Sequence, residues 1–277
     1  MPAHRNSQSR STGGRPMPLG LLLVVSLVCC SCLGAEALER KSRCLPARDH
    51  EMDQCAARMG FLGDHSFRVP NNVSAMGSFC QNLKNSITCI QSYSRDCLQG
   101  FTKQILTSLL KRGKQQYNMI CQNDEAKGEF LTRMNCLLGD KIEQLHTCMD
   151  ASVARFEFIR SNVPAENRLP SLCCSYQVFN RDLDTTMDKV CGPKGSSGDK
   201  SIHAFMHKIV SGTTGEFFQL VCDNHRTMAE CQASSKTKDT LRRLEQVTRS
   251  VRQGKTKPQA KSLVPVLLDI LASSEQR

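Results

Sequence analysis

Thirteen cysteines downstream of an apolar leader limit what this chain can fold into more than any other feature. They stand at Cys44, Cys55, Cys80, Cys89, Cys97, Cys121, Cys136, Cys148, Cys173, Cys174, Cys191, Cys222 and Cys231. Cys29, Cys30 and Cys32 fall inside the leader, "PLGLLLVVSLVCCSCLG" at residues 18–34. This run is uncharged, follows Arg15, and offers small residues for cleavage before Ala35, the pattern of a secretory signal peptide. It is short for a membrane span, which takes about 20 apolar residues, and no later segment is apolar enough to be one. Met17, just before it, is an alternative start to Met1. The expectation is a signal peptide over 1–34, a short segment over 35–43, and an exported, extracellular chain whose thiols oxidise to disulfides.

Thirteen is odd, so one thiol is left for a second chain or for no partner, and a disulfide-linked homodimer is one expectation. Among the thirteen there is no C-x-x-C pair and no Cys/His spacing of a zinc finger, which argues against a metal framework. In "LPSLCCSYQVF" (169–179) two cysteines are adjacent. Leu172, Tyr176 and Phe179 read as one face of a helix, on which successive residues point about 100° apart. Cys173 and Cys174 should therefore reach different partners, one of them a candidate for the dimer contact.

The segments between cysteines carry apolar residues in steps of three and four, the period of amphipathic helices. Leu83, Ile87 and Ile90 begin one stripe, which continues through Ile105, Leu106, Leu109 and Leu110, with Gly100 and Gly113 as candidate breaks. Further stripes follow at Phe130, Leu131, Met134 and Leu138; at Ile142, Leu145, Met149, Val153 and Phe156; at Leu172 to Val190; and at Ile202 to Val210. Asn123 and Asp140 are candidate N-caps. "SNVPAENRLP" (161–170), with two prolines, reads as a loop, and "GPKGSSGD" (192–199) as a turn. A weak repeat at an offset of 101 aligns "LLKRGKQQYNMIC", ending at Cys121, with "VSGTTGEFFQLVC", ending at Cys222. No alternating run of strand length occurs. The fold class is all-α: a disulfide-stapled helical domain over 44–231, in two pseudo-repeated halves if the repeat is real.

Residues 232–277 hold ten Lys/Arg against four Asp/Glu, while 35–231 is nearly neutral. The C-terminus reads as a flexible basic tail with amphipathic segments, Leu241, Leu244, Val247 and Val251 on one face and "LVPVLLDILAS" as a last short helix. Contact with a polyanion is one role for it. Lys111-Arg112 and Arg242-Arg243 are dibasic.

Candidate chemistry is sparse. His203 and His207 lie four apart on a helical stripe, without the glutamate of an HExxH zinc site. There is no GxSxG elbow, Walker loop or GxGxxG, and "SGTTGE" lacks the lysine of a phosphate loop. No catalytic residue and no cofactor is expected, and the chain reads as a non-enzyme. Asn72, in "NNVS", is an acceptor for N-glycosylation.

The stretches "FCQNLKNSITCIQSYSRDCLQGF", "NMICQNDEAKGEFLTRMNC" and "LHTCMD", with the cysteines from Cys174 through Cys191 to Cys222, resemble small insect haemolymph glycoproteins in cysteine order and helix length. Related nematode cysteine-rich secreted domains look similar. "AKGEFLTRMNC" and "SIHAFMHKIVSGTTGEFFQLVC" more distantly resemble stanniocalcins, secreted glycoprotein hormones that form disulfide-linked dimers, although the adjacent cysteines depart from that pattern. The resemblances imply a secreted, hormone-like or haemolymph glycoprotein that acts by binding or extracellular signalling. The alternative is a carrier of a small apolar ligand between its helices.

Overall fold

A computed structural model describes Cys44 and residues 46–60, 63–193 and 202–275; the signal-peptide and 35–43 readings, and most of the "GPKGSSGD" turn, lie outside these residues. Ten α-helices are described and no strand, so the all-α, disulfide-stapled fold holds. They are α1 (Pro46–Met59), α2 (Val73–Cys97), α3 (Gly100–Cys121), α4 (Asp124–Met134), α5 (Glu143–Asn162), α6 (Ala165–Cys191), α7 (Ile202–Val221), α8 (Met228–Ala233), α9 (Ser235–Arg252) and α10 (Leu263–Glu275). Two 3₁₀ turns, Asn135–Leu137 and Gly139–Ile142, join α4 to α5.

Caps set several of the boundaries. Asn72 and Asn123 take extended backbone angles, and each side chain accepts the amide of the residue three on, Ala75 and Ala126, at 2.8 Å. Thr227 and Glu230 form a reciprocal capping box at α8. Gly254, at φ +69°, ends α9 where a side chain would be strained. Two boundaries differ from expectation. The 3₁₀ turn Gly139–Ile142 feeds directly into α5, so the backbone carbonyl of Asp140, not its side chain, receives the Glu143 amide. The expected loop over 161–170 shrinks to Val163 and Pro164. Pro170 lies inside the second turn of α6, where it forgoes one backbone hydrogen bond but leaves the helix running. Gly113, a candidate break, lies within α3.

Six disulfides pair twelve of the described cysteines: Cys44–Cys97, Cys55–Cys89, Cys80–Cys121, Cys136–Cys191, Cys173–Cys222 and Cys174–Cys231. The adjacent cysteines do diverge, Cys173 to the end of α7 and Cys174 to α8. The set is arranged in two series. In α1–α3, Cys44–Cys97 spans 53 residues and Cys80–Cys121 spans 41. In the second half, which contains α5–α7, Cys136–Cys191 spans 55 and Cys173–Cys222 spans 49. The third bridge of the first half, Cys55–Cys89, spans 34 residues. Cys148 and Asp182 stand at the same separation, a thiol and a carboxylate in place of a bridge. The offset repeat at Cys121 and Cys222 is thus part of a longer likeness in helix order and linkage.

Within each half the helices pack in sequence, α1 on α2 on α3 and α5 on α6 on α7, and α3 lies against α7. Phe79, Phe130, Met134, Leu183 and Met206 fill the core around α2, α4 and α6. Burying each such side chain contributes roughly 1.5–3 kcal/mol. The C-terminal segment is not a flexible tail. Leu241 and Leu244 of α9 and Ile270 and Leu271 of α10 are buried, α9 against α5 and α6 and α10 against α1, α5 and α6. Domain and tail therefore meet at no packing boundary at 231/232, since Cys44–Arg277 forms one compact unit.

The start of α10 is held from the far end of the chain. The buried Asp53 of α1 accepts the amides of Lys261 and Ser262 and the Ser262 hydroxyl, each at 2.7 Å. Glu157 of α5 accepts the amides of Gln259 and Ala260 at 2.9 and 2.7 Å. The linker "KTKPQAK" is thereby pinned to both halves.

Candidate functional site

Small residues on α1 and α3 leave space where the halves meet. Ala56, Ala57 and Gly60 at the end of α1 face Gly113 of α3, and an apolar cavity of about 200 Å³ opens among α1, α2, α3, α5, α6, α7 and α10. Leu83, Ile87, Leu106 and Leu110 line it together with Phe156, Phe179, Val210 and Leu267. Tyr176 stacks flat on Phe218, with ring centroids 3.8 Å apart, and its hydroxyl lies 3.2 Å from Thr214 Oγ1. Gln116 Oε1 is buried at the wall without a hydrogen-bond partner. Gly212 of α7 faces the same amide, and any Cβ there would press into it. An apolar cavity of about 150 Å³ suffices for benzene. This one has room for a molecule of single-ring or short-chain size, and Gln116 and Tyr176 place polar atoms in its lining.

His203 and His207, four apart in the sequence, are engaged by carboxylates of α6: His207 Nε2 lies 2.6 Å from Asp184 Oδ1, and the buried His203 lies 3.4 Å from Asp188 and 3.7 Å from Asp184. They tie α7 to α6. A different group, missed in the sequence, has metal-holding geometry among the described residues: His65, Glu143 and His146. Glu143 and His146 are one turn apart on α5, a spacing that sequence periodicity can flag. His65 arrives from the loop before α2, 78 residues upstream of Glu143, and no local pattern signals it.

Cys148, unpaired among the described cysteines, is buried at 2% exposure. Burial pushes its thiol up to about 11, so it stays protonated and unreactive at neutral pH. Cys173 and Cys174 are each bridged within the chain, so neither is the unpaired cysteine, which corrects their candidacy for a contact with a second chain. Asn72 is exposed, and its Oδ1 caps α2 while its Nδ2 contacts Asn71. Lys111-Arg112 and Arg242-Arg243 both lie within helices; Arg112 Nε bonds Glu216 at 2.8 Å and Arg243 sits 4.7 Å over the Phe158 ring. No described helix is long and apolar enough to cross a membrane.

Comparison with known protein families, curated proteins and solved structures finds nothing that matches this chain.

Proposed function

We propose that this is an extracellular, non-enzymatic carrier of a small apolar ligand, held in the cavity between the two halves with one polar group turned to Gln116. The apolar cavity with an unpartnered amide oxygen at its wall is the observation that supports this reading. Buried polar atoms are normally satisfied, so an orphaned acceptor beside empty space suits a ligand with a hydroxyl or N–H. Six disulfides and the leader support export, and the exposed Asn72 suits a glycan on Nδ2 that leaves the Oδ1 cap in place. Electrophoresis of secreted material with and without reductant is expected to show a monomer under both conditions, because the thirteenth thiol is buried. Glycosidase treatment is expected to shift wild type and not Asn72→Gln.

Displacement of an environment-sensitive fluorophore, read beside native mass spectrometry of material secreted from cells, tests carriage. Gly113→Leu should fill the cavity, since a Cβ there meets Met59 Sδ at an ordinary 3.5 Å. The expected outcome is saturable binding that Gly113→Leu reduces at least about tenfold. Binding that survives the filled cavity, or no binding at all, refutes carriage.

A further inference from the structure

We propose that His65, Glu143 and His146 form a binding site for a divalent transition-metal ion of the zinc class. Glu143 Oε2 lies 3.4 Å from His146 Nδ1 and 3.7 Å from His65 Nδ1. Ligands about 2.0–2.1 Å from a tetrahedral zinc lie about 3.3 Å from one another, so these separations leave room for one ion. The third pair is within 4.8 Å.

The surroundings prepare these atoms for a cation. Asp150, one turn beyond His146 on the same face of α5, lies 3.0 and 3.1 Å from His65 Nε2. It accepts the Nε2 proton, which leaves the Nδ1 lone pair directed at Glu143. This is the carboxylate–histidine–metal arrangement that fixes a ligand's tautomer and raises its basicity. Arg68 binds Glu143 through the other oxygen, Oε1, at 2.7 Å, and holds the loop by donating to the carbonyls of His65 and Phe67, each at 2.8 Å. Oε2 is left for the ion. His146 is wholly buried, and its Nε2 has no hydrogen-bond partner. Its polar contact is therefore the Nδ1 side, where the ring faces a carboxylate and a second imidazole. Two imidazoles and a carboxylate, without thiolate, suit zinc and its neighbours better than calcium or magnesium. The half-exposed His65 leaves a fourth position open to water. The ion would join the loop before α2 to α5, and so one half to the other. This inference does not rest on the carrier reading.

The test uses the oxidised full chain without a polyhistidine tag, stripped by chelator, titrated with zinc chloride by calorimetry and weighed by native mass spectrometry. Wild type is expected to take one ion per chain and to gain thermal stability in its presence. His65→Ala, in a half-exposed loop position that folding tolerates, should weaken binding at least about tenfold and abolish the thermal gain, while Asp150→Asn weakens it about tenfold. His50→Ala, an exposed histidine elsewhere, should change neither. Absence of stoichiometric uptake overturns the proposal and leaves His65 as a bridge between Glu143 and Asp150. Uptake that His65→Ala leaves within about twofold also overturns it.

Discussion

Arg155 is wholly buried; its two terminal nitrogens bond three side chains from three helices, while its Nε has no hydrogen-bond partner. The guanidinium donates to Asp182 Oδ2 at 3.0 Å, Thr248 Oγ1 at 2.7 Å and Ser152 Oγ at 2.8 Å. Removing one partner of such a pair strands a buried charge. Asp182→Ala is expected to destabilise by about 3–5 kcal/mol in urea denaturation, more than replacing both Arg155 and Asp182 by apolar residues of similar size. Cys148, on the same face of α5, should resist alkylation in the native protein at pH 8 and react once in denaturant, read by mass shift. The depressed pKa of His146 has a pH consequence for metal-free protein. Between the ordinary histidine value of 6.5 and the lower folded value, the folded protein binds fewer protons than the unfolded chain. Its contribution is complete above pH 6.5 and is lost as pH falls through the folded value. A thermal midpoint that does not fall on acidification in wild type relative to His146→Gln would refute this. At this scale the sequence was legible where chemistry is local, as at the Asn123 cap. It was opaque at His65 and Arg155, whose partners come from distant segments.

The helices were readable because each buries a stripe, and stripes are visible at a period of 3.6 residues. Pro170 misled because proline weakens a helix by one hydrogen bond, and α6 is long enough, with Leu172, Phe179, Leu183 and Met187 buried, to absorb that loss. The apolar face of α9 was visible as Leu241, Leu244, Val247 and Val251. Its basic composition suggested a solvated tail, because charge on the outer face says nothing about what the inner face meets. Lys236, Lys238, Arg242, Arg249 and Arg252 remain exposed along it, so weak, salt-sensitive retention on a heparin column is expected, reduced by charge reversal at Arg242 and Arg249. The junction of α10 depends on Asp53. Asp53→Ala should cost about 1–2 kcal/mol as a lost cap and raise hydrogen exchange and protease cutting over residues 255–262 before the rest of the chain responds.

For the whole molecule, composition and cysteine count indicated a stapled helical protein, and the repeat at Cys121 and Cys222 hinted at halves. The cavity was not legible, because it arises from Ala56, Ala57 and Gly113 meeting across elements that no local pattern aligns. Deletion of residues 263–277 removes Val264 and Leu267 from its wall, and should lower stability and abolish ligand binding together, whereas Gly113→Leu separates the two by removing binding alone. Among the described residues, every bridge closes within one half: three lie between Cys44 and Cys121, three between Cys136 and Cys231. A chain crossing a membrane N-terminus first therefore presents six cysteines whose partners have all arrived by residue 121. The first half can finish its oxidation before Cys136 emerges, and the cysteines of the two halves need never compete for one another.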